Sequence, residues 1–220
     1  MTGGPRTIDL RDWPRREHFE TFSAWHDPHF NICADVVVTS FRRTMREAGI
    51  PLNTAIVYLL ARTANDIPEF RLRVRDGAVV EHEVVHPATT VMAPGDLFTF
   101  AFFEYDPDLR RFAGHVAGAT ERARAAPSLE DPPDRDDLLF MTAIPWVSFT
   151  SFSHPIPAMP VDSIPRFAWG RVREEPGRLV MPLSVEGHHG LMDGLHAGLY
   201  FQRVQEYLDR PAGLLEGSAS

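Results

Sequence analysis

Apolar positions along the chain change their period several times, and each change marks an element. Phe30 to Val38 is a nearly unbroken apolar run that predicts a strand. Thr39 to Gly49 then takes helical spacing, with Thr39 or Ser40 as its candidate N-cap. Asn53 to Ala64 is apolar almost all round, the pattern of a buried helix, and Pro68 stops it. Arg71 to Val74 and Ala78 to Val80 flank Arg75-Asp76-Gly77, a hairpin signal. Val84 to Met92 and Leu97 to Tyr105 read as strands, the second with alternating aromatics whose rings are mostly expected in the core. Residues 108–126 predict a helix, 127–134 a proline-rich surface loop, 138–144 a strand and 153–160 an irregular, proline-stiffened stretch. Phe167 to Val172 predicts another strand before the turn Glu174-Glu175-Pro176-Gly177. Residues up to about Asp12 read as a tail, and 15–22 as a helical turn with Phe19 and Phe22 on one face. Strands and helices alternate irregularly and without repeats. The expectation is therefore an α/β two-layer sandwich with a mixed β-sheet, one domain over residues 1–220.

The chemistry concentrates in His188-His189-Gly190-Leu191-Met192-Asp193-Gly194. Upstream lies a β-prone run, Leu179, Val180, Met181, Leu183 and Val185, interrupted only by Pro182 and Ser184. Downstream, Leu195, Leu199, Val204 and Leu208 recur near helical spacing, with Gly190 and Gly194 read as permissive backbone around the turn. Histidine titrates near neutrality, and a contact at one ring nitrogen selects which nitrogen can take a proton. Taken singly, Asp193 reads first as a helix N-cap and His188 as a packed histidine. His189, Asp193 and His196 share a helical face at i, i+4 and i+7, but two glycines in that window argue against a rigid metal site.

Composition narrows the field. The net charge of −8 argues against a general nucleic-acid binder and against binding to anionic membranes. All 22 Lys/Arg positions are arginine, which excludes lysine-based chemistry. A single Cys33 excludes an internal disulfide and suits a reducing cytosol. With no long apolar run and no signal-peptide pattern, the expectation is a soluble cytoplasmic protein.

Three further segments join the histidine stretch: Trp13-Pro14-Arg15-Arg16-Glu17-His18-Phe19, Pro145-Trp146-Val147-Ser148-Phe149-Thr150-Ser151-Phe152 and Val180-Met181-Pro182-Leu183-Ser184. Together, from roughly Ile8 to Leu208, the chain resembles the chloramphenicol acetyltransferase family of the coenzyme A-dependent acyltransferase superfamily, whose signature is His-His-x-x-x-Asp-Gly. The resemblance implies O-acetylation of chloramphenicol, or of another small hydroxylated acceptor, by acetyl-CoA and without a metal. It implies direct transfer in a ternary complex, and a homotrimer in which one chain supplies the histidine and the next much of the acceptor pocket.

By the same resemblance His189 is the general base, and Asp193 pairs with Arg15 to support it. Thr142 stands where the family has an oxyanion-stabilising serine. Trp146 and Arg171, with Arg173 nearby, are expected beside coenzyme A; Phe22, Phe98 and Phe152 are expected at the acceptor. His154 and Arg166 replace apolar residues there, which points to a more polar or acidic acceptor, and Ala168 replaces a threonine that in the family helps order water near the intermediate. Two other readings stay open: a different alcohol or amine acceptor, and a catalytically silent trimer that only binds ligands.

Overall fold

The structure, a computed structural model, describes residues 4–157 and 162–216. The chain opens with strand β1 (Arg6–Thr7), helix α1 (Arg16–Ser23), strand β2 (His29–Val37) and helices α2 (Thr39–Glu47) and α3 (Leu52–Asp66). Strands β3 (Leu72–Arg75) and β4 (Ala78–Glu81) form a hairpin that turns on Asp76 and Gly77, both at positive φ as such a turn requires. Strands β5 (His86–Ala93) and β6 (Leu97–Phe102) are followed by helix α4 (Leu109–Ala125), whose N-cap Asp108 accepts from the Arg110 and Arg111 amides. Strands β7 (Leu138–Ile144), β8 (Arg166–Gly170), β9 (Arg173–Glu175) and β10 (Arg178–His188) lead to helix α5 (Gly194–Asp209).

Seven strands form one mixed sheet in the order β2-β10-β8-β7-β5-β6, with β9 also paired to β10; β7 runs parallel to both β5 and β8. Alternation divides its faces. Val36, Met181, Leu183, Val185, Phe167, Trp169, Leu139 and Met141 join the main core with the apolar side of α3 and α5. The other face carries polar rungs. One runs Asn31, Glu186, Arg166 and Phe140, and the next Cys33, Ser184, Ala168 and Thr142. Pro182 is tolerated inside β10 because β9 pairs only as far as Val180 and β8 only from Leu183, so no ladder bond is lost on that side. Gly170 makes room for it: a Cβ there would lie 2.7 Å from the Pro182 ring and 2.8 Å from the Val147 carbonyl.

A second sheet, β1-β4-β3, encloses a smaller core of Phe19, Leu72, Val79 and Leu191. From Arg6 onward the segment before Asp12 is therefore not a tail. β1 pairs with β4, and Ile8 and Leu10 pack on this core, an element too short to show a period. Neither Thr39 nor Ser40 caps α2; Val38 holds the cap position, and the Thr39 hydroxyl accepts from the Leu179 amide at 2.8 Å instead. The aromatic strand also faces the other way from the expectation. Thr99 and Ala101 are buried, while Phe98, Phe100 and Phe102 line a cavity; Phe103 is buried in the core and borders the same cavity. Of the irregular stretch 153–160, residues 158–160 lie outside the described residues.

Candidate active site

His189 follows the last rung of β10, where His188 pairs with His29. Its amide donates to the Pro28 carbonyl at 2.7 Å, which ties the backbone to the start of β2. The imidazole stacks on Phe22 with centroids 4.0 Å apart and planes 5° apart, and the tilted Phe30 ring lies at 5.2 Å. Nδ1 is enclosed without a partner among the described residues.

Arg15 locks this turn. Its Nη1 donates to Asp193 Oδ2 at 2.6 Å and its Nη2 to the His189 carbonyl at 3.2 Å. Asp193 both pairs with Arg15 and caps a helix. As N-cap of α5 it accepts from the Leu195 amide at 3.0 Å, and His196 Nδ1 closes the capping box by accepting from the Asp193 amide at 3.1 Å. Burial pushes its carboxyl up, but Arg15, the Leu195 amide and His196 outweigh that and hold it at about 2. His188 is fully buried and accepts from the Gly190 amide at 3.1 Å; burial, with His29 beside it, pushes its imidazole down to about 4. It is thus a neutral packing group at physiological pH. Gly190 is required by proximity rather than by its φ: a Cβ would meet Phe19 Cα at 3.2 Å and the His188 ring at 3.0 Å. At Gly194 a Cβ would meet open space, so the permissive-backbone reading does not apply there.

A separate cavity of about 1250 Å³ opens where the sheet splits. Pairing between β5 and β7 ends at Thr89 and Met141, while β7 continues along β8 to Ile144. Thr142 is the first β7 residue past the fork, and Thr90 to Met92 and Thr142 to Ile144 line the gap. Arg42, Arg124, Arg171 and Trp146 line the cavity near the edge where β2, β5, β7 and β8 end. Phe98, Phe152, His154, Asp162 and Arg166 also line it. Arg166 is buried in an ion pair with Asp162, donates to the Ile164 carbonyl at 3.1 Å and lies over the Phe140 ring.

Several expected site residues fall elsewhere. Arg173 is held by Asp35, Glu175 and the Ser148 hydroxyl and does not line the cavity. Ala168 is fully buried in its rung between Ser184 and Thr142, away from the lining. Phe22 belongs to the histidine cluster and not to the cavity wall. His189 itself does not line the cavity: β10 runs against β2 and β8, so it ends at the edge opposite Trp146 and Arg171. Within one chain Arg15, Asp193, His189 and Phe22 form one group, and Thr142, Trp146, Arg171, Phe98, Phe152, His154 and Arg166 another.

Arg42, Arg124, Asp162 and Glu186 were not singled out from the sequence; only the i, i+4 spacing of Asp162 and Arg166 hinted at a pair. Among the described residues no group of His, Cys, Asp and Glu is arranged to hold a metal, and no helix is long and apolar enough to cross a membrane.

This split, helix-backed mixed sheet is the fold of coenzyme A-dependent acyltransferases. The dihydrolipoamide acetyltransferase of Azotobacter vinelandii superposes with a TM-score of 0.67 at 19% identity, over 90% of this chain and 88% of that one, a likeness of fold alone. A solved chloramphenicol acetyltransferase superposes more closely, with a TM-score of 0.81 at 27% identity over 93% of this chain and 99% of that one. The chloramphenicol acetyltransferase from Streptomyces acrimycini is 35% identical over 216 residues, covering 96% of this chain and 97% of its own. That from Klebsiella sp is 32% identical over 213 residues, 96% of each chain. The profile of the chloramphenicol acetyltransferase family matches residues 5–205, and the chain belongs to that family.

Proposed function

We propose that the chain is an acetyl-CoA-dependent O-acetyltransferase acting on chloramphenicol or a similar alcohol, with its active site completed between copies in a homotrimer. The observation that carries this reading is the anchored His189. Its backbone is held by Pro28 and Arg15, its ring by Phe22 and Phe30, and its Nδ1 is enclosed, so Nε2 is the nitrogen left to take a proton. Arg42, Arg124 and Arg171 are cations suited to the phosphates of coenzyme A, and Trp146 offers its ring beside them. The cavity exceeds the ~300–1,000 Å³ of a single-ligand cleft, as two substrates require.

In this reading His189 Nε2 removes the acceptor hydroxyl proton as the oxygen attacks the thioester carbonyl carbon. Thr142 Oγ1 donates to the carbonyl oxygen as negative charge develops there. The C–S bond breaks, and the imidazolium returns its proton to the departing sulfur. The separation of His189 from the cavity supports assembly across a subunit seam. So do the exposed apolar side chains of Trp25, Leu195 and Leu199.

The test is thiol release from acetyl-CoA with chloramphenicol. His189→Ala is expected to lower turnover by about 10²–10⁴ while coenzyme A still binds. Unchanged turnover in that variant, or no thiol release by the parent, refutes the reading.

A further inference from the structure

Part of the cavity wall is charged, and its charges do not balance. His154 lines the cavity with its side chain only 9% exposed, and neither ring nitrogen has a hydrogen-bond partner among the described residues. Behind it Glu186, 5% exposed, accepts from Asn31 Nδ2 at 3.0 Å and from the His154 amide at 3.4 Å, while its Oε1 has no partner. His154 Nδ1 stands 3.9 Å from Glu186 Oε2, close enough for an ion pair and too far for a hydrogen bond. Three buried polar atoms therefore wait side by side beside a cavity. Native structures rarely leave such atoms unpaired; ordered water or a ligand meets them.

Charge decides which ligand. Arg166, the cation in this wall, is already committed to Asp162 and the Ile164 carbonyl. At this end of the lining Asp131 and Asp162, with Glu186 behind His154, outnumber Arg166; the other lining arginines, Arg42, Arg124 and Arg171, belong to the edge where the strands end. Burial, and after it the charge of Asp162, hold the Asp131 carboxyl above its ordinary range against the pull of Arg166, while burial of Glu186 is outweighed by His154 and Asn31, which hold its carboxyl below its own range. A carboxylate on the acceptor would meet this field unfavourably, contrary to the acidic acceptor suggested by the residue types alone. An ammonium suits it. Closing the His154–Glu186 gap places the imidazole proton on Nδ1 and turns the Nε2 lone pair toward a donor in the cavity, with the carboxylate behind it.

We propose that the acceptor carries a protonated amine in addition to its hydroxyl, and that His154 backed by Glu186 receives the amine. The proposal rests on the acyltransferase reading and names its substrate class. Two amides of 2-amino-1-(4-nitrophenyl)propane-1,3-diol test it, the glycyl and the propionyl. They are nearly equal in shape and differ in one positive charge.

Calorimetric titration of the protein is expected to show the glycyl amide binding at least about tenfold tighter at neutral pH. Glu186→Gln, which keeps the shape and the Asn31 bond, should erase the preference, and His154→Leu should do so independently. Equal binding, or tighter binding of the propionyl amide, overturns the proposal. So does a preference that survives both substitutions. Thiol release measured with the same two amides and with chloramphenicol keeps the questions apart. Release without the preference removes only this proposal, and a preference without release from any acceptor removes only the acyl-transfer reading.

Discussion

Replacing Arg15 with methionine removes the guanidinium and keeps most of the aliphatic stem. The lost contacts are the 2.6 Å bond to Asp193 and the 3.2 Å bond to the His189 carbonyl. Side-chain exposures of 14% for Arg15 and 28% for Asp193 place the pair between surface and interior. A fully buried pair stripped of one partner loses about 3–5 kcal/mol; water reaching Asp193 returns part of this, so about 2–3 kcal/mol is expected here. In a chain of this size that lowers the midpoint of thermal unfolding by about 4–12 °C.

The penalty should itself depend on pH. A carboxyl held at about 2 contributes stability that is complete above its ordinary range and lost as pH falls through that value. The difference between parent and variant should therefore shrink on acidification from pH 5 toward 3. Turnover should fall by about 10²-fold, because a base displaced by about an ångström loses its alignment. Denaturant unfolding of the parent, Arg15→Met, Asp193→Ala and the double variant supplies the coupling, expected at about 1–3 kcal/mol. Additive effects, or a stable variant with undiminished turnover, would refute the anchoring role.

Two further outcomes follow from buried groups. His188 takes up a proton below about 4 when folded, against about 6.5 when unfolded, so its stability contribution is complete above the higher value and lost between the two. Urea unfolding between pH 7 and 4.5 should show a slope that His188→Asn flattens; parallel curves would contradict it. Arg73 is fully buried and donates to the carbonyls of Phe70, Leu72, Asp136 and Leu138, stitching the hairpin to β7 and the residues before it. Arg73→Met strands these acceptors and should destabilise by about 3–5 kcal/mol, and lysine, with a compact ammonium, should rescue only partly. Calorimetric midpoints within a degree of the parent would exclude that role.

The sequence shows the architecture where its periods are long. Helix α3, with ten buried residues, and strand β10 both announce themselves. It hides features that depend on distant partners. β1 is two residues long and exists only because β4 accepts it. The phenylalanines of β6 alternate as a strand should, but alternation does not say which face is the core, and the fork beyond Met141 turns them toward a cavity. Only the family resemblance pairs Arg15 with Asp193 in the sequence, since 178 positions separate them and no local rule joins them. Arg173 illustrates the converse. Its position beside Arg171 suggested a phosphate ligand, but Asp35 on the neighbouring part of the sheet takes it first. Nothing local marks Glu186; only its rung between Asn31 and Arg166 and its contact with the His154 amide place it behind His154.

The claim that matters most is that one copy's His189 serves another copy's Thr142. Co-refolding His189→Ala with Thr142→Ala tests it directly, because each chain alone lacks one half of every site. Random assembly of equal amounts restores an intact pair at about a quarter of the seams, so thiol release should recover to about a quarter of the parent rate. Activity no higher than the sum of the two separately refolded variants would contradict the account.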